Sequence, residues 1–121
     1  MNWIAYARSA AADSEAISRQ LEQIEKSLVR AGLIEEDEPL PRSHSPGRGV
    51  FVDDGQSGAS PMWERPGGAQ LLDYCRSHKQ PTLRSGLIVV TEPSRFGRHD
   101  SDITLLTWAQ LGAVGWVPRF I

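Results

Sequence analysis

Trp3-Ile4-Ala5-Tyr6-Ala7-Arg8-Ser9-Ala10 decides the fold. Residues 3 to 7 are apolar or aromatic without helical spacing, the pattern of a strand buried on both faces. A strand of that kind lies inside a parallel sheet covered by helices on either side. It carries Tyr6 and Arg8 to the point where it ends, so an aromatic hydroxyl and a cation arrive together at one edge of the core.

Working outward, Asp13 or Ser14 can cap a helix in which Ile17, Leu21, Ile24 and Leu28 recur at i, i+4, i+7 and i+11, one apolar stripe. Gly32 follows as a C-terminal cap. Residues 35 to 49 read as a loop with an acidic run, prolines and glycines. Val50-Phe51-Val52 is a short second strand running into Asp53-Asp54-Gly55-Gln56-Ser57-Gly58. Arg65-Pro66 precedes a second helix from about Gly67 to His78, with Leu71, Leu72 and Cys75 on its apolar side. Leu87-Ile88-Val89-Val90 is a β-branched strand. Ser94-Arg95-Phe96-Gly97-Arg98 follows it directly. A third helix spans Asp100 to Leu111, with Ile103, Leu106 and Leu111 expected to face inward. Residues Val114 to Ile121 form a last strand.

Strands alternating with helices predict an α/β domain with a mainly parallel sheet of about four to five strands and helices on both faces. In such sheets, functional groups gather at the carboxyl ends of the strands. Arg8, Asp53 or Asp54, and Arg95 with Arg98 all fall there.

Composition narrows the chemistry. The 121 residues suffice for one compact domain. Thirteen Lys and Arg against fifteen Asp and Glu leave a formal charge of -2, so any polyanion must be held by a local cluster of cations. The single cysteine, Cys75, excludes an internal disulfide and fits a reducing cytosol. No signal peptide and no apolar run of membrane-spanning length are present, and a cytoplasmic protein is expected. Trp3, Trp63, Trp108 and Trp116 are scattered, as core residues are, and do not form a base-stacking platform.

Arg8, Arg65, Arg95 and Arg98 are the candidates to converge, while Arg119 lies inside the last strand. Guanidinium groups near one point repel unless an anion sits between them, and a tetrahedral phosphate accepts paired hydrogen bonds from arginine. Arg95 and Arg98 are three apart, so one helical turn would place both on a single face. Metal binding is not indicated: His44, His78 and His99 lie far apart, and adjacent Asp53 and Asp54 on a strand face opposite sides. No glycine-rich phosphate loop and no G-x-S-x-G elbow is present. A response-regulator-like domain would need an acidic cluster and a helpful lysine, and Lys26 and Lys79 both lie on helices.

In order along the chain, Tyr6-Ala7-Arg8-Ser9-Ala10, Gln20, Phe51-Val52-Asp53-Asp54-Gly55-Gln56-Ser57-Gly58, Arg65-Pro66, Leu71-Leu72, Ser94-Arg95-Phe96-Gly97-Arg98 and Gly115 to Ile121 resemble the N-terminal catalytic domain of serine recombinases, the resolvases and DNA invertases. The resemblance implies attack of a serine hydroxyl on a DNA phosphodiester, a phosphoserine intermediate and rejoining after strand exchange in a homo-oligomer, without metal or cofactor. It implies that Arg8, Arg65, Arg95 and Arg98 clasp the phosphate. Ser57 with Asp53 or Asp54 would support them, and Tyr6 and Gln20 would shape the site. The partner would be DNA. Residues 1–121 would form the catalytic domain without the family's long dimerisation helix and C-terminal DNA-binding domain.

Two positions depart from the family pattern. The nucleophile position holds Ala10, and Ser94 stands where the late motif has an aspartate. Ser9 is adjacent, but a one-residue step along a strand end reverses side-chain direction. A deliberate serine-to-alanine exchange at position 10, a degenerate natural copy, or service by Ser9 would each account for Ala10. Loss in two separate motifs favours the degenerate copy. The expected function is therefore a recombinase domain impaired in strand cleavage. The alternative is a non-catalytic binding or oligomerisation module with an arginine phosphate pocket.

Overall fold

The computed structural model describes residues 2–36, 40, 49–81, 85–97 and 102–121. Strand β1 (Asn2–Ser9) is buried from Trp3 to Ser9. It is an inner strand of a four-stranded sheet ordered β2 (Val50–Asp54), β1, β3 (Gly86–Val90), β4 (Trp116–Phe120), with each neighbouring pair parallel. Alternation along β1 builds two cores. Ile4 and Tyr6 join Phe51, Leu71, Ile88 and Trp116 on one face, whereas Trp3, Ala5 and Ala7 join Ile17, Leu21, Ile24 and Leu28 on the other. Helix α1 (Ser14–Arg30) covers the second face; α2 (Pro66–Ser77) and α3 (Asp102–Ala113) cover the first. The α/β expectation, with helices on both faces, holds.

The apolar stripe of α1 is buried as its spacing predicts: Ile17, Leu21, Ile24 and Leu28 are at most 7% exposed. At roughly 2 kcal/mol for each buried side chain, this stripe outweighs any contribution from the helix ends. The ends are nonetheless closed. Asp13 is the N-cap and its Oδ1 accepts from the Ala16 N–H at 3.1 Å. At the C-terminus, Gly32 takes φ 74°, and the N–H groups of Gly32 and Leu33 return to the carbonyls of Val29 and Leu28. Only a residue free to adopt positive φ closes that turn without strain. Replacing Asp13 by alanine is expected to lower stability by about 1 kcal/mol, read as a shift of the urea midpoint.

Helix α3 corrects one expectation. Ile103 and Leu106 are exposed, at 44% and 53%, while Thr104, Thr107 and Leu111 face the sheet. The reason lies in the sequence of the helix itself. Apolar residues occur on all its sides, so spacing alone does not single out an inward face. Thr107 is accommodated because its Oγ1 donates to the Ile103 carbonyl at 3.0 Å, leaving its methyl to pack.

Chain order sets the location of a crevice. The connection from β1 leads to β2 on one side, and β3 then pairs with β1 on the other. The carboxyl ends of β1 and β3 therefore flank the point where strand order reverses, the usual position for a ligand in an open parallel sheet.

Candidate functional site

β3 pairs with β1 only as far as Ala5. Beyond that point, α1 supplies the missing partner: Gln20 Oε1 accepts from the Arg8 N–H at 3.1 Å, and Gln20 Nε2 donates to the Arg8 carbonyl at 2.8 Å. A side-chain amide thus stands in for a strand and fixes the backbone from which Arg8 projects. Arg8 itself is 6% exposed. Its Nε donates to the carbonyl of Arg95 at 2.9 Å, Nη1 to that of Gln56 at 2.9 Å and Nη2 to that of Ser94 at 2.6 Å.

Arg65 sits between a short 3₁₀ turn, Met62–Glu64, and α2, in the extended conformation that a following proline requires. It is 1% exposed. Its Nε and Nη2 donate to the Ser60 carbonyl at 3.0 and 2.9 Å, and Nη2 also meets the Phe96 carbonyl. Its Nη1 donates to the Tyr6 hydroxyl at 3.0 Å and to the Arg95 carbonyl at 3.2 Å. Arg8 and Arg65 therefore meet on one carbonyl oxygen, that of Arg95. The negative end of a peptide dipole lies where the sequence alone calls for an anion.

Behind this pair, Asp53 is 2% exposed and Asp54 is exposed, so only one of the adjacent carboxylates points inward. Asp53 accepts from Tyr6 Oη at 2.7 Å and from the N–H groups of Gly67 and Gly68 at 2.6 and 2.8 Å. It thereby closes the N-terminus of α2, where the exposed peptide N–H groups favour a negative charge. Both glycines are required by this approach, since a Cβ on Gly67 would fall on the Val52 carbonyl and one on Gly68 on the Met62 carbonyl. Asp54 is turned to α1, accepting from the Asp13 N–H at 2.8 Å. With its oxygens engaged by hydrogen-bond donors, Asp53 is placed as a structural anchor for Tyr6 and, through it, Arg65.

The electrostatics follow from burial. The Arg8 guanidinium is pushed below its ordinary pKa, first by loss of water and then by repulsion from Arg65. Burial pushes the Tyr6 phenol above its ordinary 10.0, with Arg65 opposing and Asp53 reinforcing the rise. Burial also pushes the Cys75 thiol from 9.0 up to about 12. Both neutral groups are favoured by the folded state, so their contribution is complete below the unfolded values and is lost as pH rises. Stability measured in urea should be level near pH 8 and fall between pH 9 and 12; Cys75→Ala should remove the part of the fall that begins near pH 9.

The remaining candidates are partly gathered here. Arg95 Nη1 donates to the Arg8 carbonyl at 3.3 Å and Nη2 pairs with Glu92 at 3.0 Å, while its buried Nε has no partner among the described residues. Ser9 is buried, and its Oγ donates to the Ala11 carbonyl at 2.6 Å. Ala10 is exposed just past the end of β1. The side chains of Ser57 and Ser94 lie on the exposed rim, and Ser57 Oγ accepts from the Ala59 N–H at 3.1 Å. Arg98 lies outside the described residues, as do His44 and His99. Arg119 is exposed on β4.

Two participants are not apparent from motif reading, and a third, Gly58, stands in a motif whose reading does not give its role. Gly58 packs so closely on Arg8 that a Cβ there would stand 2.7 Å from Nη2. The carbonyls of Gln56 and Ser60 are provided by backbone, which any residue supplies. The Gly67-Gly68 pair also leaves a mark in the sequence, following Pro66 at the start of a helix. Among the described residues, no three His, Cys, Asp or Glu side chains group as a metal site, and no helix is long and apolar enough to cross a membrane.

A parallel sheet ordered β2-β1-β3-β4, with arginines at its reversal point, defines a resolvase-like α/β domain. Residues 3–113 match the family described as Resolvase, N terminal domain, and the chain belongs to that family. The C-terminal catalytic domain of ISC1926 TnpA, an IS607-like serine recombinase, is similar with a TM-score of 0.70 and 17% identity, over 99% of this chain and 67% of that one. The N-terminal catalytic domain of TP901-1 integrase is similar with a TM-score of 0.71 and 17% identity, over 99% of this chain and 77% of that one. At that identity the likeness is one of fold. No curated protein matches the chain.

Proposed function

We propose that this chain is the catalytic-type domain of a site-specific DNA recombinase that recognises a DNA phosphodiester and does not cleave it. One observation carries the reading: Arg8 and Arg65 meet at the carboxyl end of β1, whereas the adjoining Ala10 has no side-chain oxygen. In serine-type recombination a hydroxyl attacks phosphorus, the 3′ oxygen leaves, and arginines stabilise charge on the five-coordinate transition state. Here Arg8, Arg65, Arg95 and Arg98 would hold the phosphate. Tyr6, Gln20 and Asp53 would position them, with Asp54 and Ser57 shaping the adjoining loop. Attack has no group at position 10, Ser9 has its proton directed to the Ala11 carbonyl, and Ser94 replaces a carboxylate suited to proton transfer. DNA and further copies of the chain are the proposed partners, through an assembly that includes a dimerisation helix and a DNA-binding domain.

A second reading, a non-catalytic binding or oligomerisation module, is favoured by the engagement of Arg8 and Arg65 with backbone carbonyls. A crystal structure obtained with a short DNA duplex or phosphate separates the two. An anion ordered between Arg8, Arg65 and Arg98 is expected for phosphate recognition. The same arginines remaining on their carbonyls, with no anion, would leave only the module.

A further inference from the structure

The two buried arginines donate to the carbonyls of Ser94, Arg95 and Phe96, three consecutive residues after β3. We infer that residues 94–97 form a latch held shut by Arg8 and Arg65, which an incoming phosphate must release. This inference rests on the phosphate reading above and adds to it how access to the site is regulated.

The loop's own hydrogen bonds are comparatively long. The N–H groups of Arg95, Phe96 and Gly97 reach the carbonyls of Glu92, Pro93 and Ser94 at 3.2, 3.0 and 3.2 Å. The arginine contacts from Arg8 are shorter, at 2.6 and 2.9 Å to Ser94 and Arg95. On the other side, the Phe96 ring is seated among Tyr6, Trp108 and Phe120, with centroids 5.8, 6.2 and 6.5 Å away. Thus the loop is fastened at its carbonyls by cations and at one side chain by aromatic packing.

Those same N–H donors are the ones a phosphate oxygen would need. A donor aligned on a carbonyl cannot also be aligned on an anion, and a phosphate oxygen adds to the guanidinium bond a charge–charge attraction that a neutral carbonyl lacks. Anion binding therefore competes directly with the latch. The apparent affinity is reduced by the fraction of molecules in which the latch is closed. The Nε of Arg95, without a partner among the described residues, fits a residue whose full set of partners forms only when the loop moves.

The test is hydrogen–deuterium exchange on the whole chain, with inorganic phosphate against chloride at equal ionic strength, beside phosphate titration of the native chain and Phe96→Ala. Should Phe96→Ala not fold, Phe96→Leu retains apolar volume while removing the aromatic seat. Phosphate is expected to speed exchange of the 95–97 amides about tenfold while β1 stays protected, and the variant should bind phosphate about tenfold more tightly. Phosphate binding with 95–97 exchange unchanged or slowed, or with no gain in the variant, would overturn the latch and leave the phosphate site standing. Absence of phosphate binding in both proteins would overturn the phosphate reading and the latch with it.

Discussion

Replacing Arg65 by alanine should lower the stability of the domain by about 4 kcal/mol, enough to leave it largely unfolded at 37 °C. Arg65 is 1% exposed and joins three separate stretches of chain: Tyr6 on β1, Ser60 before α2, and Arg95 with Phe96 after β3. Truncation would take their arginine donor from the Ser60 and Phe96 carbonyls, at roughly 1–3 kcal/mol for each, while the Arg95 carbonyl would keep Arg8. It would also leave the Asp53–Tyr6 pair without its cation. Lysine retains the charge but not the planar fork, so Arg65→Lys should recover only about half of the loss. Urea unfolding followed by tryptophan fluorescence reads both. A fully stable Arg65→Ala protein would show that the carbonyl contacts do not hold the loops.

Gly67→Ala is the second large effect, and it acts through backbone. A Cβ at this position would lie on the Val52 carbonyl oxygen, 2.8 Å from the Val52 carbonyl carbon and 2.9 Å from Asp53 Oδ1. The first two are backbone atoms, and Asp53 Oδ1 is held in place by the Gly67 N–H itself. Helix α2 must shift outward, which costs roughly 3 kcal/mol and loosens the two N–H bonds to Asp53. Gly112 provides the contrast, because a Cβ there meets nothing within 4 Å. Gly112→Ala, inside α3, should be neutral or stabilise by up to about 1 kcal/mol. If the two substitutions gave equal thermal midpoints, the close approach of α2 to β2 would be wrong.

The legible parts of the sequence were those where one physical demand left one solution. Strand β1 had to be buried on both faces because Trp3 to Ala7 offer no polar side. Helix α1 had one apolar stripe and one cap, and both appear as spaced. The gathering of Arg8, Arg65 and Arg95 followed from placing each at a strand end or just before a helix. What the arginines touch was not legible, because backbone carbonyls are the same for every residue type. The inward face of α3 was hidden for a different reason. Its apolar residues exceed what the sheet can cover, so threonines took the inner positions and Ile103 and Leu106 were left outside.

The proposed function places a phosphate-directed arginine site beside a position that has no hydroxyl to attack with. Incubating the chain with supercoiled DNA carrying its recombination site, denaturing, and digesting with protease tests it directly. No covalent protein–DNA adduct and no loss of supercoiling are expected. A DNA-linked peptide whose mass places the bond on Ser9 would contradict it.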